Sequence, residues 1–510
     1  MNKWVVAIMA SLAAGMEIFD VSVVNISLAH MQGGLSAGVD EVAWVLTAYL
    51  VSTAVILPMT GWLATFFGRK RFFIFCTVLF GTCTALAGIA PTLPVLIFLR
   101  ILQGLGGGAL TATGLAIVME SFPPAQRGIA VALWGAGSMA SSVIGPVLGG
   151  LIADHFSWRW VFYLNVPIAV IVAVLAIFFL SDPPYLQRRA ERIDAWGFLC
   201  LIIWVGCFQV ILGRGQRLDW FSSNWIVGLT IIAIPAFMAF VIRELLVKEP
   251  AVDLRIFKNR TFAVGTILMA IQMFGFYGPV VLIALFTQTI MGYTAFLAGV
   301  VIASGAVPSL VTMPLGGRLI SIVDPRLIIG IGALVSGFGM LLASHLSTEA
   351  AFWQVAVPRI LLGMGLSWVW VSLNAVSLAA VPVEKMGQAS GIFNLMRNLG
   401  GSFGIAALTT MLSRGAQVHQ NRLVAHVTRW DLDVQERLGI LATAFQTAGS
   451  DPFTAGKQAL ACLYSEIQKQ ASMLSFLDDF RLLAILLFAM IPLVLIMKGT
   501  KVGEDSGGDL

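Results

Sequence analysis

An all-α membrane protein, built as two sets of six spanning helices with a further pair inserted between them, is the fold this sequence predicts. Three observations carry the expectation. Of 510 residues, 58% are hydrophobic and only 11% charged, and the apolar residues come in long blocks rather than at amphipathic intervals. Blocks of that kind belong to helices immersed in a bilayer. Fourteen of them are long enough to cross it, each about 18 to 28 residues. The chain also repeats itself in one orientation: Arg359 stands 259 places after Arg100, and the same shift superposes Gly104 on Gly363, Gly106 on Gly365, Ala116 on Ala375, Pro123 on Pro382, Gly128 on Gly387 and Gly145 on Gly404.

In order, the blocks lie near residues 5–29, 42–66, 72–90, 94–120, 128–153 and 160–180, then 195–213 and 224–242, then 262–290, 295–322, 327–346, 352–381, 387–412 and 476–497. The first begins like a secretory signal, with Lys3 and then apolar and small residues. It runs on past Glu17 and Asp20 to about residue 29, too long for such a signal, so it reads as a retained span. The repeat places spans 4 and 5 over spans 12 and 13. Eight spans of offset is two more than a half of six requires, and the stretch from about 195 to 242 supplies the surplus pair. The expected organisation is therefore an N-terminal six-helix half (1–185), a two-helix insert with basic flanks (186–260), a C-terminal six-helix half (261–498) that includes an external loop (413–475), and a flexible tail (499–510). Transporters are commonly built from such repeats, with their sites near the midplane.

An even number of spans puts both termini on one side. With Lys3 on the cytoplasmic side, eighteen Lys or Arg fall there, against Arg159, Arg214 and Arg217 in the short opposite loops. That asymmetry orients the chain with both termini in the cytoplasm. The net charge of +5 sits at span ends, which excludes a nucleic-acid surface. The cysteines pair two within one span (Cys76, Cys83), two within another (Cys200, Cys207) and leave Cys462 alone, so they form no disulfide framework. No histidine cluster has metal spacing, and no phosphate-cradling GxxxxGK[ST] is present.

The chemistry concentrates in the first span. Glu17 and Asp20 lie three residues apart, on one helical face, with Asp20 roughly 20 Å into a span that rises ~1.5 Å per residue. Acids at mid-membrane are costly and face a bundle interior or wet cavity, where they titrate in function. The bland reading is a fixed buried ion pair. Arg100, inside span 4, and Arg397, inside span 13, are equally expensive unless a carboxylate, carbonyl or water meets them, and Asp20 is the natural partner for Arg100. Burial favours the protonated carboxylate and a nearby arginine the ionised one. Movement of Arg100 relative to Asp20 therefore switches proton affinity, so proton and cargo compete for the same acids. Arg359 reads as a structural echo of Arg100 that holds loop carbonyls. One charge crossing ~150 mV releases roughly 3.5 kcal/mol, enough for two to three decades of gradient.

Phe19-Asp20-Val21-Ser22-Val23-Val24-Asn25, Gly61-Trp62-Leu63-Ala64 through Gly68-Arg69-Lys70, Leu96 through Arg100 with Gln103, Gly104 and Gly106, Gly145-Pro146-Val147-Leu148-Gly149-Gly150, Trp158-Arg159-Trp160 to Asn165-Val166-Pro167, and Asn394 to Arg397 with Gly400-Gly401-Ser402 follow one another. In that order and spacing the chain resembles the major facilitator superfamily and, within it, the fourteen-span drug:proton antiporters of the EmrB/QacA type. Arg214-Gly215, Leu218 to Ser223 and Asp479-Phe480-Arg481 are most similar to the EmrB type. Departures are Thr65 at an acidic position, Ser141 for a motif glycine, Ala29 for a proline, Gly213 for an acid, and Glu17 where the EmrB type has Gln.

The resemblance implies a proton-coupled antiporter that exports lipophilic or amphipathic toxic compounds across the inner membrane, driven by the proton gradient with no cofactor. It implies an EmrA-type periplasmic adaptor and a TolC-type outer-membrane channel as partners. Proton coupling is assigned to Glu17, Asp20 and Arg100. Substrate contacts are expected from Asn25, Gln103, Trp134, Gln272, Phe274, Tyr277, Asn394 and Arg397, on spans that border the central cleft, although such side chains also serve simple packing. Gating falls to Gly61, Gly68, Arg69, Glu120, Gly145, Pro146 and Gly149, with Arg69 able to latch onto Glu120. The external segment is a docking surface for the adaptor or a solvated helical cap. Rival functions are a stand-alone exporter, an uptake symporter, against which the Gly145-Pro146 motif weighs, and a membrane enzyme or sensor, for which neither a nucleophile nor a signalling domain is found.

Overall fold

A computed structural model describes residues 2–123, 126–182, 194–247, 250, 252–320, 322–428 and 430–497. The boundary expected at 185 and the tail 499–510 lie outside them. The first set of helices is α1 (Lys3–Gly34), α2 (Trp44–Phe67), α3 (Arg69–Ala87), α4 (Leu93–Ser121), α5 (Arg127–His155) and α6 (Trp160–Phe179). Then come α7 (Ala195–Arg214) and α8 (Asn224–Leu246). The second set is α9 (Arg260–Ile290), α10 (Ala295–Leu319), α11 (Pro325–Ala343), α12 (Phe352–Ala379) and α13 (Met386–Ala425), followed by α14 (Leu432–Thr447) and α15 (Pro452–Val494). Eleven of the described helices are long and apolar enough to cross a membrane. The long helices α5, α13 and α15 stand where the sequence places the other three spans.

The repeat read from glycines and arginines is a repeat of packing. In the first set α1 packs on α4, α5 and α6, while α4 packs on α2 and α3, and α3 on α6. In the second set α9 packs on α12, α13 and α15, while α12 packs on α10 and α11, and α11 on α15. Small residues allow this closeness, as in membrane helices generally. On α5, Gly145 and Gly149 lie against Ser22 and Val23 of α1. Pro146 sits between them in helix, with its side chain outside the described residues. Three helices depart from regular geometry: α2 through a 3-10 turn at Leu57–Met59, centred on Pro58, α6 through a break at Leu164, and α9 through a π-helical turn at Phe286–Ile290.

The two sets meet through α5 with α10 and α12, and through α13 with α2 and α4. Close backbone approaches lie at the end of the molecule that carries the α2–α3 turn. A β-carbon on Gly128 would fall 2.5 Å from the Gly317 carbonyl oxygen, and one on Gly61 2.5 Å from the Gln388 nitrogen, so only glycine lets the backbones touch there. Ser390 Oγ donates across the seam to the Ala112 carbonyl at 2.7 Å. Gly68, at the turn itself, has φ of +85°, which favours glycine on backbone grounds as well.

The inserted pair leans on both sets. Gln209 of α7 donates to Ser402 Oγ of α13 at 2.6 Å, and Trp220 Nε1, just beyond α7, donates to Thr410 Oγ1 at 3.0 Å. On the other side, the Arg214 guanidinium lies 4.8 Å from the Trp44 ring of α2, and Phe198 meets Trp62 edge to face at 5.2 Å.

Helices α13 and α15 run past the predicted span ends at 412 and 476, so the expected loop 413–475 consists of their continuations joined through α14. Hydropathy marks where the bilayer ends, whereas a helix stops only where its backbone is broken or capped. Caps occur at 431 and 451: Asp431 accepts from the Asp433 amide, and Asp451 from the amides of Phe453 and Thr454 at 3.1 Å. The Thr454 hydrogen bonds hold the Asp451 carboxyl below its ordinary value. None of α14 is buried. It is tied to α15 by the exposed pair Arg437–Glu466 at 2.9 Å.

Candidate proton and substrate site

Helix α1 carries both acids because its small residues let α4 and α5 approach it, so polar side chains on its inner face end inside protein rather than in lipid. Asp20, 2% exposed, is surrounded by donors. Arg100 Nη1 meets its Oδ2 at 2.5 Å, and Gln103 Nε2 donates to Oδ1 at 2.8 Å, with Asn165 Nδ2 at 3.5 Å. Arg100 is itself fully buried. Its Nη1 also donates to Gln103 Oε1 at 2.7 Å, its Nε to the Val45 carbonyl at 3.1 Å, and its guanidinium lies 4.2 Å from the Tyr49 ring centre. Gln103 completes the cluster by donating to Thr84 Oγ1 at 2.6 Å. A buried ion pair needs such supporting hydrogen bonds to offset desolvation. All of these residues belong to the first set of six.

Glu17 has a different neighbourhood, although it lies on the same helical face. It is 8% exposed and accepts a hydrogen bond from Thr111 Oγ1 of α4. The charged group acting on it most strongly is Arg397 of α13, and both Glu17 and Arg397 act on Tyr277 of α9. Glu17 is thus bonded to α4 of its own set yet within electrostatic reach of Arg397 across the seam, while Asp20 is enclosed in the first set. Sequence spacing alone treats the two as equivalent.

The other expected contacts divide in the same way. Tyr277 and Arg397 are half-buried at the seam, and Asn25 is exposed. Gln103 is committed to the Asp20 cluster. Trp134 is fully buried and stacks on Trp370 of α12 at 5.3 Å, 10° from parallel, so it joins the two sets. Gln272 donates to the Leu366 carbonyl and Asn394 to the Ser390 carbonyl, both at 2.9 Å. Phe274 is buried beside Phe403. Arg69, 6% exposed, is paired with Glu120 at the end where the sets touch. Thr65, standing at the acidic motif position, turns back to the Gly61 carbonyl at 2.9 Å. Arg359 shows no hydrogen bond to a loop carbonyl among the described residues, contrary to expectation, and its buried Nε has no partner. Tyr49, Thr84, Thr111 and the Val45 carbonyl join the site unannounced by any motif, because ordinary span residues reveal such roles only when the helices are docked. Asn165 did carry a signal, lying in the Trp158–Pro167 motif.

A family model described as Major Facilitator Superfamily matches residues 10–405. The multidrug export protein EmrB of Haemophilus influenzae is 33% identical over 426 residues, 82% of each chain. The protein of the same name from Escherichia coli K12 is 30% identical over 505 residues, 99% of this chain and 97% of that one. Among solved structures, the proton:xylose symporter XylE superposes with a TM-score of 0.62 at 15% identity, over 96% of each chain, a likeness of fold alone.

Proposed function

The chain belongs to the major facilitator superfamily, in its EmrB-type drug:proton antiporter branch, and from that premise we propose how it works as a drug-efflux transporter. Asp20 is the proton carrier and Arg100 its switch: when Arg100 withdraws, burial favours the protonated acid, and when Arg100 returns, the proton leaves. Glu17, with Arg397 and Tyr277 opposite, receives the cargo, a lipophilic or amphipathic compound. The observation that carries this reading is the separation of the two acids, Asp20 enclosed by Arg100 and Gln103 and Glu17 outside that network on Thr111.

The positive-inside orientation puts the end with the α2–α3 turn in the cytoplasm. The glycine contacts and the Arg69–Glu120 pair then close the cytoplasmic side, which is the outward-facing state. Residues 1–185 and 261–498 are the two halves that rock, with 186–260 bridging them. The gradient supplies the energy and no cofactor takes part. The outward helical extension of α13, α14 and α15 suits docking of an EmrA-type adaptor beneath a TolC-type channel in a tripartite assembly of the inner membrane.

Substrate-dependent proton release tests the coupling. Purified protein in weakly buffered detergent is expected to release protons when a lipophilic cation is added, and less so when Asp20 is Asn. Binding with no proton release in the unaltered protein would remove the antiport mechanism.

A further inference from the structure

We propose that Arg359 is a docking point for the anionic head, a carboxylate or phosphate, of an amphipathic molecule. The residue is 3% exposed and sits two turns into α12, about 10 Å from the start of the helix. Its Nε is sealed from solvent without a partner, and it forms no ion pair among the described residues.

Its counterpart Arg100 shows what is missing. The 259-residue shift that carries Arg100 to Arg359 carries Asp20 to Pro279 and Gln103 to Leu362, so the second set repeats the guanidinium without the carboxylate or the amide. Between residues 261 and 412 the acids are Asp324, Glu349 and Glu384, and α15 adds Asp478, paired with His419 and Arg481, and the buried Asp479, neither of them in an ion pair with Arg359. Asp324 caps α11, accepting from the Arg326 amide at 2.9 Å, Glu384 lies in the turn before α13, and Glu349 is exposed in the loop before α12. The slot is nevertheless shaped for the arginine. Gly305 of α10 lies so close that a β-carbon there would fall 2.9 Å from the Arg359 Cγ and 3.0 Å from its Nε.

A buried charge with no partner is costly, and the cost is relieved by an opposite charge with matching hydrogen bonds. The planar guanidinium fork matches a carboxylate or phosphate. Arg359 lies toward the end of α12 away from the closed seam. Both a single-chain carboxylate and a membrane phospholipid offer the required head.

Purified full-length protein in neutral detergent, or in nanodiscs of stated lipid, distinguishes them. Dodecanoate is expected to raise the melting temperature of the unaltered chain. Arg359→Met should bind it about 10- to 100-fold more weakly, the range for a charged hydrogen-bonded contact, while melting no lower without ligand. Stabilisation by phosphatidylglycerol over phosphatidylcholine, lost in Arg359→Met and not reproduced by dodecanoate, would assign the site to lipid and support the proposal equally. Should Arg359→Met not fold, Arg359→Lys keeps the charge without the fork and is expected to bind about tenfold more weakly. Equal affinity for both probes with and without the guanidinium, or a lower melting temperature of Arg359→Met in ligand-free detergent, overturns the proposal. No proton gradient enters these measurements, so they stand apart from the antiport test.

Discussion

Replacing Asp20 with Asn separates proton coupling from folding, and the structure sets the size of both effects. The carboxylate accepts on two oxygens, from Arg100 at 2.5 Å on one and from Gln103 at 2.8 Å on the other. An amide has one accepting oxygen, so either Arg100 or Gln103 must face an NH2 group. Losing one charged hydrogen bond costs about 1.5–3 kcal/mol, and leaving the Arg100 guanidinium unneutralised raises that toward about 3–5 kcal/mol. The variant is therefore expected to melt lower but to fold. Adding Arg100→Gln should recover part of the loss, giving a coupling of about 1–3 kcal/mol in a double-mutant cycle. In proteoliposomes with a pH difference of about two units, one-for-one exchange by the unaltered protein can sustain roughly a 100-fold substrate gradient. Asp20→Asn should sustain none while still binding substrate. Retention of gradient-driven accumulation by this variant would refute the assignment of the proton to Asp20, and a coupling near zero would refute the proposed partnership with Arg100.

Glu17→Gln should leave the melting temperature near that of the unaltered protein and weaken binding of lipophilic cations about tenfold relative to neutral analogues of equal size; an unchanged cation preference in an export panel would remove Glu17 from the cargo site. Gly128→Val places a branched side chain where even a β-carbon meets the Gly317 carbonyl at 2.5 Å, so closure at that end should weaken by about 1–3 kcal/mol, seen as lower cross-linking between cysteines placed either side of the seam. The Asp451 carboxyl, held below its ordinary value of 3.8 by Thr454, should support the start of α15 fully above that value. Its contribution is lost as pH falls through the lower, folded value, because a depressed carboxylate must then take up a proton. Protection of the Phe453 and Thr454 amides, taken relative to their intrinsic exchange rates, that is equal at neutral pH and at pH 2 would contradict this.

Much of the candidate site was legible in the sequence because membrane burial makes charge conspicuous. Glu17, Asp20, Arg100 and Arg397 stand out in apolar blocks, and cost alone marks them. Polar uncharged residues give no such signal. Gln103 and Gln272 look alike as span residues, yet one serves the buried acid and the other a backbone carbonyl. Trp134 was legible as an inward-facing aromatic but not as half of a stacked pair, since Trp370 lies on a helix more than 200 residues away and nothing local links them.

The sequence by itself determined the spans, the parallel repeat and the presence of mid-membrane acids, because hydropathy and charge cost act residue by residue along each helix. Tertiary structure decided that Asp20 is enclosed by a donor network and Glu17 lies outside it, that the polar outer segment continues two spanning helices, and that Arg100 is answered by a carboxylate while Arg359 is not. Those outcomes depend on which helix lies beside which, a property of packing between segments hundreds of residues apart that no local pattern encodes.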